Sequence, residues 1–313
     1  MSGTAVLKMP KHKMNIIRRQ EELAGYLFIL PNFLGIIAFV VLPIVFSLLL
    51  GFTHWNPMQG IRGISFVGGQ NFLRMMKDER IITSLLNNLR FSFTYVPVTI
   101  CLALVLAALL NNFAHLKVPL RMFCFMPYIS SMVSVSVVWM LLLYPKMGPV
   151  SMILTNVFGI QNPPGWFIDS KWSLMGIAIM CIWHDTGYYA IILISGMKNI
   201  SRELYEAAEI DGAGPVTSFF RITIPMLVPT LFFCIIIATI SSFRVFDPVN
   251  VITKGGPGFS SSVLVYAMYF NGFLFYEFGY ASAVAWLLFI IIFILSMIQL
   301  WLRRRLDPGG RGE

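Results

Sequence analysis

Apolar residues gather along this chain into long runs that contain no Asp, Glu, Lys or Arg. They cover Leu23–Ile61, Phe91–Leu116, Met122–Pro145, Ile222–Phe243 and Phe278–Leu302, and a sixth, Trp172–Met197, is broken only by Asp185. A helix needs about 20 mostly apolar residues to cross a hydrocarbon core of roughly 30 Å. Trimmed at their Gly, Pro and Asn clusters, the runs predict six membrane-spanning helices near 24–50, 90–112, 121–143, 174–197, 224–245 and 280–302. Two further charge-free runs fit less well. Residues 147–168 contain GP, GIQN and PPGW, which is loop chemistry. Residues 255–276 include SSVLVYAMYFNGFLFY, apolar enough for a short seventh helix.

The distribution of charge decides between six and seven. With six spans and both ends cytoplasmic, the inner segments hold 14 of the 23 basic residues, among them Lys8, Arg18, Lys198, Arg221 and Arg303–Arg305. That is 14 in about 70 positions, against 9 in about 105 outside, the bias expected of cytoplasmic loops. A seventh span would put WLRRR outside, so 255–276 is expected to be an external helix near the membrane interface. The expected organisation is a basic cytoplasmic tail at 1–23, a six-span domain at 24–302 and a cytoplasmic tail at 303–313. The first apolar run is too long for a cleaved signal peptide and reads as an anchor.

Composition agrees. The chain is 57% hydrophobic and 12% charged, whereas soluble domains carry about 25% charged residues, so it reads as an all-α polytopic membrane protein embedded in a lipid bilayer. The net charge of +9 follows from topology and does not indicate nucleic acid. Cys101, Cys124, Cys181 and Cys234 lie inside apolar runs and read as small buried hydrophobes. No catalytic or metal site is expected: no Gly precedes a Lys, which excludes a GxxxxGK[ST] phosphate loop, and GxSxG and HExxH are absent.

One polar interruption stands out. LYEAAEIDGAG, Leu204–Gly214, lies in the predicted cytoplasmic loop 198–225 between spans four and five. Ser201 can cap a short helix whose first turns favour Glu. Ala207 and Ala208 leave one face low enough for another surface to approach, and Asp211-Gly212 is a stop. Phe219, Phe220, Ile222 and Ile224 make an apolar strip, and Pro225 opens the next span. Taken alone, these residues describe a helix and its cap.

The spacing adds a resemblance. EAA at 206–208, Gly212, Ile222 and Pro225 resemble the EAA loop of binding-protein-dependent ABC importer permeases. FVGGQNF (66–72), the NN…F…VPVTICLALVLAALLNN stretch (87–112), RMFCFMPYISS (121–131), VITKGGPG (251–258) and FGYASAVAWLLFIIIFILSMIQL (278–300) are similar to the carbohydrate-uptake subgroup, the maltose and glycerol-phosphate permease-like family. The chain lacks the large external insertion and extra N-terminal helices of the maltose subunit. The resemblance therefore implies the plain six-span type I importer permease fold in a bacterial or archaeal plasma (inner) membrane. It also implies a heterodimer with a second homologous permease subunit, a dimer of ATP-binding subunits carrying ATP and Mg, and an extracytoplasmic solute-binding protein. No cofactor belongs to this chain. Glu206, Ala207, Ala208, Asp211 and Gly212 would dock the ATPase, with Glu206 the main polar contact, and ATP-driven closure would switch the pathway by alternating access.

The substrate pathway is addressed by an ionisable pair inside a span, which is costly there and functional by default. His184 and Asp185 lie mid-span in CIWHDTGYYA. They are either a structural pair or part of a sugar pathway in which Asp185 accepts from hydroxyls and Trp183 or Tyr188 stacks on a pyranose face. In the maltose-type permease the residues after the Trp of this span contact the sugar. That correspondence picks His184 and Asp185, with Tyr128 and Ser242, although the residue types at the pair differ. Arg244 and Asp247 are expected to form an interfacial ion pair. A secondary carrier would need ionisable residues in several spans, and a membrane transferase a catalytic constellation; neither is visible. A glycerol-phosphate-type solute remains the alternative within the family.

Overall fold

The computed structural model describes residues 11–112 and 117–306. Parts of both predicted tails, 1–10 and 307–313, lie outside the described residues, as do residues 113–116. The chain divides after Leu50 into two units. The first is helical: α1 (Lys11–Ile36) passes through a π-helical turn at Ile37–Val41 into α2 (Leu42–Gly51). Its apolar stretch Glu22–Gly51 is almost wholly exposed. Apolar side chains facing outward all round are what a helix solvated by lipid requires.

The second unit begins with a two-stranded antiparallel hairpin, β1 (Thr53–His54) and β2 (Ser65–Phe66), paired Thr53↔Phe66 and His54↔Ser65. There follow α3 (Gln70–Met75), α4 (Glu79–Asn112), α5 (Lys117–Ile129), α6 (Met132–Leu142), α7 (Pro149–Asn156) and α8 (Ser173–Lys198). Next come α9 (Arg202–Ile210), α10 (Pro215–Ser218), a π-helical turn Phe219–Thr223, α11 (Ile224–Met226), α12 (Val228–Phe243), α13 (Leu264–Tyr269) and α14 (Phe278–Leu306).

α4 and α8 form the centre of the main core. Ala103 and Ala107 on α4 and Ile177, Ala178 and Ala190 on α8 are fully or almost fully buried in it. Small residues at such seams let helices approach closely in lipid, where there is no hydrophobic force between them. Gly187 is the extreme case: a Cβ there would lie 1.7 Å from the carbonyl oxygen of Cys124. Only glycine lets α8 and α5 meet backbone to backbone.

Two of the predicted spans are bent. α5 and α6 form one span broken by 94° at Ser130–Ser131, and Pro215–Met226 and Val228–Phe243 form another bent by 67°. Pro127 removes one helical donor in α5, and Ser131 leaves the helical region at φ −59°, ψ 126°. At the second bend Pro225 and Pro229 flank Leu227, which is fully buried. The length of an apolar run carries no information about such breaks. Counting each bent pair as one span gives six.

In the segment 255–276 the helical part is α13 with a π-helical continuation to Leu274, and it is packed into the fold. Leu264, Tyr266 and Ala267 of α13 are buried, and Leu264 and Ala267 pack with Ile81, Tyr280 and Val284. Polar groups of α4 draw it inward. Asn87 Nδ2 donates to the carbonyls of Phe259 (2.8 Å) and Ser262 (2.9 Å), Asn88 Oδ1 accepts from Leu264 N (2.8 Å), and Ser84 bonds Ser262 (2.8 Å). The predicted loop 147–168 also carries a short helix, α7.

Candidate functional site

A cavity of about 310 Å³ opens between α4, α8, the α5–α6 break and the end of α12. Its lining includes Tyr95, Tyr128, His184, Asp185, Ser242 and Arg244. Asp185 is its polar centre. One carboxylate oxygen faces His184 Nδ1 at 2.5 Å and the other accepts from the Tyr95 hydroxyl. The second ring nitrogen of His184 lies 3.4 Å from the Ser130 carbonyl, a carbonyl at the helix break. The broken span is thus linked through His184 and Asp185 to α4. Each oxygen of Asp185 keeps a second lone pair for a further donor.

The other candidates divide. Tyr128 stacks on Tyr188 with centroids 4.3 Å apart and planes 12° apart, and its ring lies 5.7 Å from that of His184. Such an aromatic pair presents a flat apolar face beside a polar group. Ser242 lines the cavity, but its Oγ is within bonding distance of the Thr239 carbonyl (2.7 Å) and the Ser92 hydroxyl (2.9 Å). Trp183 is not in this cavity. It packs on Trp139 (5.6 Å) and lines a separate apolar groove with Leu102, Leu106 and Pro127. Two helical steps span about 200°, so Trp183 points away from Asp185, the polar centre of the cavity.

Arg244 and Asp247 also differ from expectation. Both line the cavity, yet they are not within ion-pair distance of each other, unlike Arg74–Glu277, His184–Asp185 and Arg202–Glu206. Each side chain therefore contributes its own charge to the cavity lining. Tyr95 was missed by sequence reasoning: nothing in its surroundings in the chain marks it, because its partner is 90 residues away.

The EAA segment forms a separate feature. Ser201 caps α9, its side chain accepting from Glu203 N at 3.3 Å. Arg202 pairs with Glu206 at 3.0 Å, with side chains 91% and 59% exposed, so the pair is worth only about 0.3–0.5 kcal/mol. Glu206 and Ala207 are exposed and Ala208 partly so. The helix ends in two reversed bonds, Ala213 N to Ala208 O (2.8 Å) and Gly212 N to Glu209 O (3.0 Å), with Gly212 at φ +78°. This termination needs a left-handed residue after the cap, which explains the Asp211-Gly212 pair. On the side facing the spans, the Tyr205 hydroxyl lies 2.8 Å from Thr223 Oγ1.

Comparison with known proteins agrees with this architecture. The signature of the family described as binding-protein-dependent transport system inner membrane component matches residues 100–311. A probable ABC transporter permease protein of Bacillus subtilis, YesP, is 33% identical over 90% of each chain. The lactose transport system permease protein LacF of Rhizobium radiobacter is 32% identical over 92% of this chain and 96% of its own. Among solved structures, a bacterial ABC transporter involved in the import of the acidic polysaccharide alginate superposes with a TM-score of 0.79, covering 94% of this chain and 99% of that one at 20% identity; this likeness bears on the fold. With its exposed EAA helix and a polar cavity between α4, α8 and α12, the chain belongs to the inner-membrane permease components of binding-protein-dependent transport systems.

Proposed function

We propose that this chain forms half of the translocation pathway of an ATP-driven, binding-protein-dependent sugar importer. The observation that carries the reading is the cavity around Asp185, Tyr128 and Arg244, set between spans of a permease fold. Relatives at about the same similarity are named for lactose and for trehalose/maltose transport. A cavity that pairs a stacked tyrosine with a carboxylate suits a polyhydroxylated ring, whose faces are apolar and whose edge donates hydrogen bonds.

In this reading a second permease subunit completes the pathway, and two ATP-binding subunits, which hold ATP and Mg, dock on α9. A solute-binding protein delivers the sugar from the opposite side. Both termini and α9 face the cytoplasm, as the basic residues of Arg303–Arg305 and Arg221 favour. Glu206 stays available for a partner because its bond to Arg202 is weak and solvated. A second reading, a glycerol-phosphate-type solute, is favoured by Arg244 in the cavity lining and opposed by Asp247 in the same lining.

Reconstitution with the partner subunits tests both. Labelled disaccharide should enter vesicles only with ATP enclosed in the lumen and the solute-binding protein outside, and neutral sugars should compete where glycerol phosphate does not. ATP-independent uptake driven by an ion gradient would overturn the importer reading. Competition by glycerol phosphate alone would replace the sugar with the phosphate ester.

A further inference from the structure

α9 touches the spans sparingly. None of its nine residues is buried. A groove of about 710 Å³ lies along it, lined by Ala108, Asn111, Met197, Tyr205, Phe219 and Thr223 among others. At its start α9 follows α8 through a tight turn, Asn199 N bonding Gly196 O (3.1 Å) and Ile200 N bonding Met197 O (3.3 Å). At its end it runs into Gly212-Ala213-Gly214, with Gly212 left-handed. The first connection is stiff. At the second, the cap bonds close at Ala213 N and Gly214 O already accepts from Ser218 N (3.0 Å), so the compliant point is the Ala213–Gly214 junction between them, where glycine imposes the least backbone restraint.

The Tyr205–Thr223 hydrogen bond, 2.8 Å, bypasses that compliant link. Thr223 is buried at 6% exposure and closes the π-helical turn. Its carbonyl accepts from Leu227 N at 2.9 Å, and Leu227 is the fully buried residue at the 67° bend into α12. α12 ends in Ser242 and Phe243 and is followed by Arg244, so it leads directly to one side of the cavity, while α8 carries His184 and Asp185 on another.

We infer that the Tyr205–Thr223 contact is the mechanical link that moves α8 and α12 in step when α9 is displaced, so that both sides of the cavity rearrange together. Tyr205 touches neither solute nor nucleotide; it is a positioning residue. The inference rests on the proposed ATP-driven reading. Without the hydroxyl contact, α9 still moves with α8, but the glycine linker absorbs the motion before it reaches α12. ATP hydrolysis then proceeds with little import.

The test uses the whole complex in proteoliposomes, with this chain, its permease partner, the ATP-binding subunits and the solute-binding protein, and radiolabelled lactose and maltose as probes. The readout is sugar imported per ATP hydrolysed. Tyr205→Phe and Thr223→Val should lower that ratio at least threefold while ATP-binding subunits still co-purify, and Thr223→Ser, which keeps the hydroxyl, should stay near wild type. An unchanged ratio in Tyr205→Phe overturns the link. So does loss of the ATP-binding subunits from Tyr205→Phe, which would make the contact a scaffold for docking. If the wild-type complex imports neither sugar with ATP, the underlying sugar-importer reading fails before any variant is compared.

Discussion

Asp185 holds two elements together at once, and this dictates what its substitution does. Asp185→Asn keeps the shape but loses the charge behind its bonds to His184 and Tyr95. Hydrogen bonds to charged groups are worth about 1.5–3 kcal/mol each, and a pathway conformation weakened by about 1.4 kcal/mol is populated about tenfold less. Uptake should therefore fall roughly tenfold or more, with the complex still assembled on size exclusion. Tyr95→Phe tests the other side of the same carboxylate and should lower uptake by a smaller factor, since His184 remains. The position of the pair was legible from CIWHDTGYYA, because an acid and an imidazole inside an apolar helix have few other uses. Trp183 was legible as an aromatic but not as to its direction, which the helical phase assigns to the Trp139 groove. Tyr95 was not legible at all: its meaning depends on a residue in another span.

Helix contacts set the next scale. Gly187→Ala would place a methyl group on the Cys124 carbonyl and force α5 from α8, at a cost of about 1–3 kcal/mol or more. The thermal midpoint of the detergent-solubilised protein should drop by several degrees. Gly25→Ala is the matched control, because a Cβ there meets nothing within 4 Å and alanine favours helix by about 1 kcal/mol. Neither glycine is distinguishable in the sequence, where both sit in apolar runs. The bends are half visible. Pro127 and Pro225 can be read in the chain, but proline inside a span is tolerated where neighbouring groups satisfy the freed backbone. Which prolines bend the helix depends on what receives the freed groups, here His184 at the Ser130 carbonyl.

For the whole molecule, the segment that drew most from the sequence was α9. Its cap, its stop and its exposed Glu206 follow from local chemistry. What the helix is for came from the EAA spacing, and how it reaches the spans came only from Tyr205. Glu206→Lys reverses charge on the surface proposed to meet the ATP-binding subunits. Affinity purification of the complex should recover markedly less of those subunits, by roughly tenfold for a loss of about 1.4 kcal/mol, with the six-span fold unchanged by circular dichroism. Binding-protein-stimulated ATP hydrolysis should fall in parallel.

The amides of Asn87 and Asn88 bear on how the chain is made. Both are buried, and their partners in the segment Phe259–Leu264 lie 172 to 176 residues downstream. During synthesis α4 emerges long before those partners exist, and an unsatisfied buried polar group costs about 1–3 kcal/mol. The early spans therefore wait in an incomplete state until the last third of the protein arrives and closes over them. A ribosome stalled before residue 255 should leave a product that is inserted but open to proteolysis near α4, whereas a chain extended beyond residue 275 should become protected there.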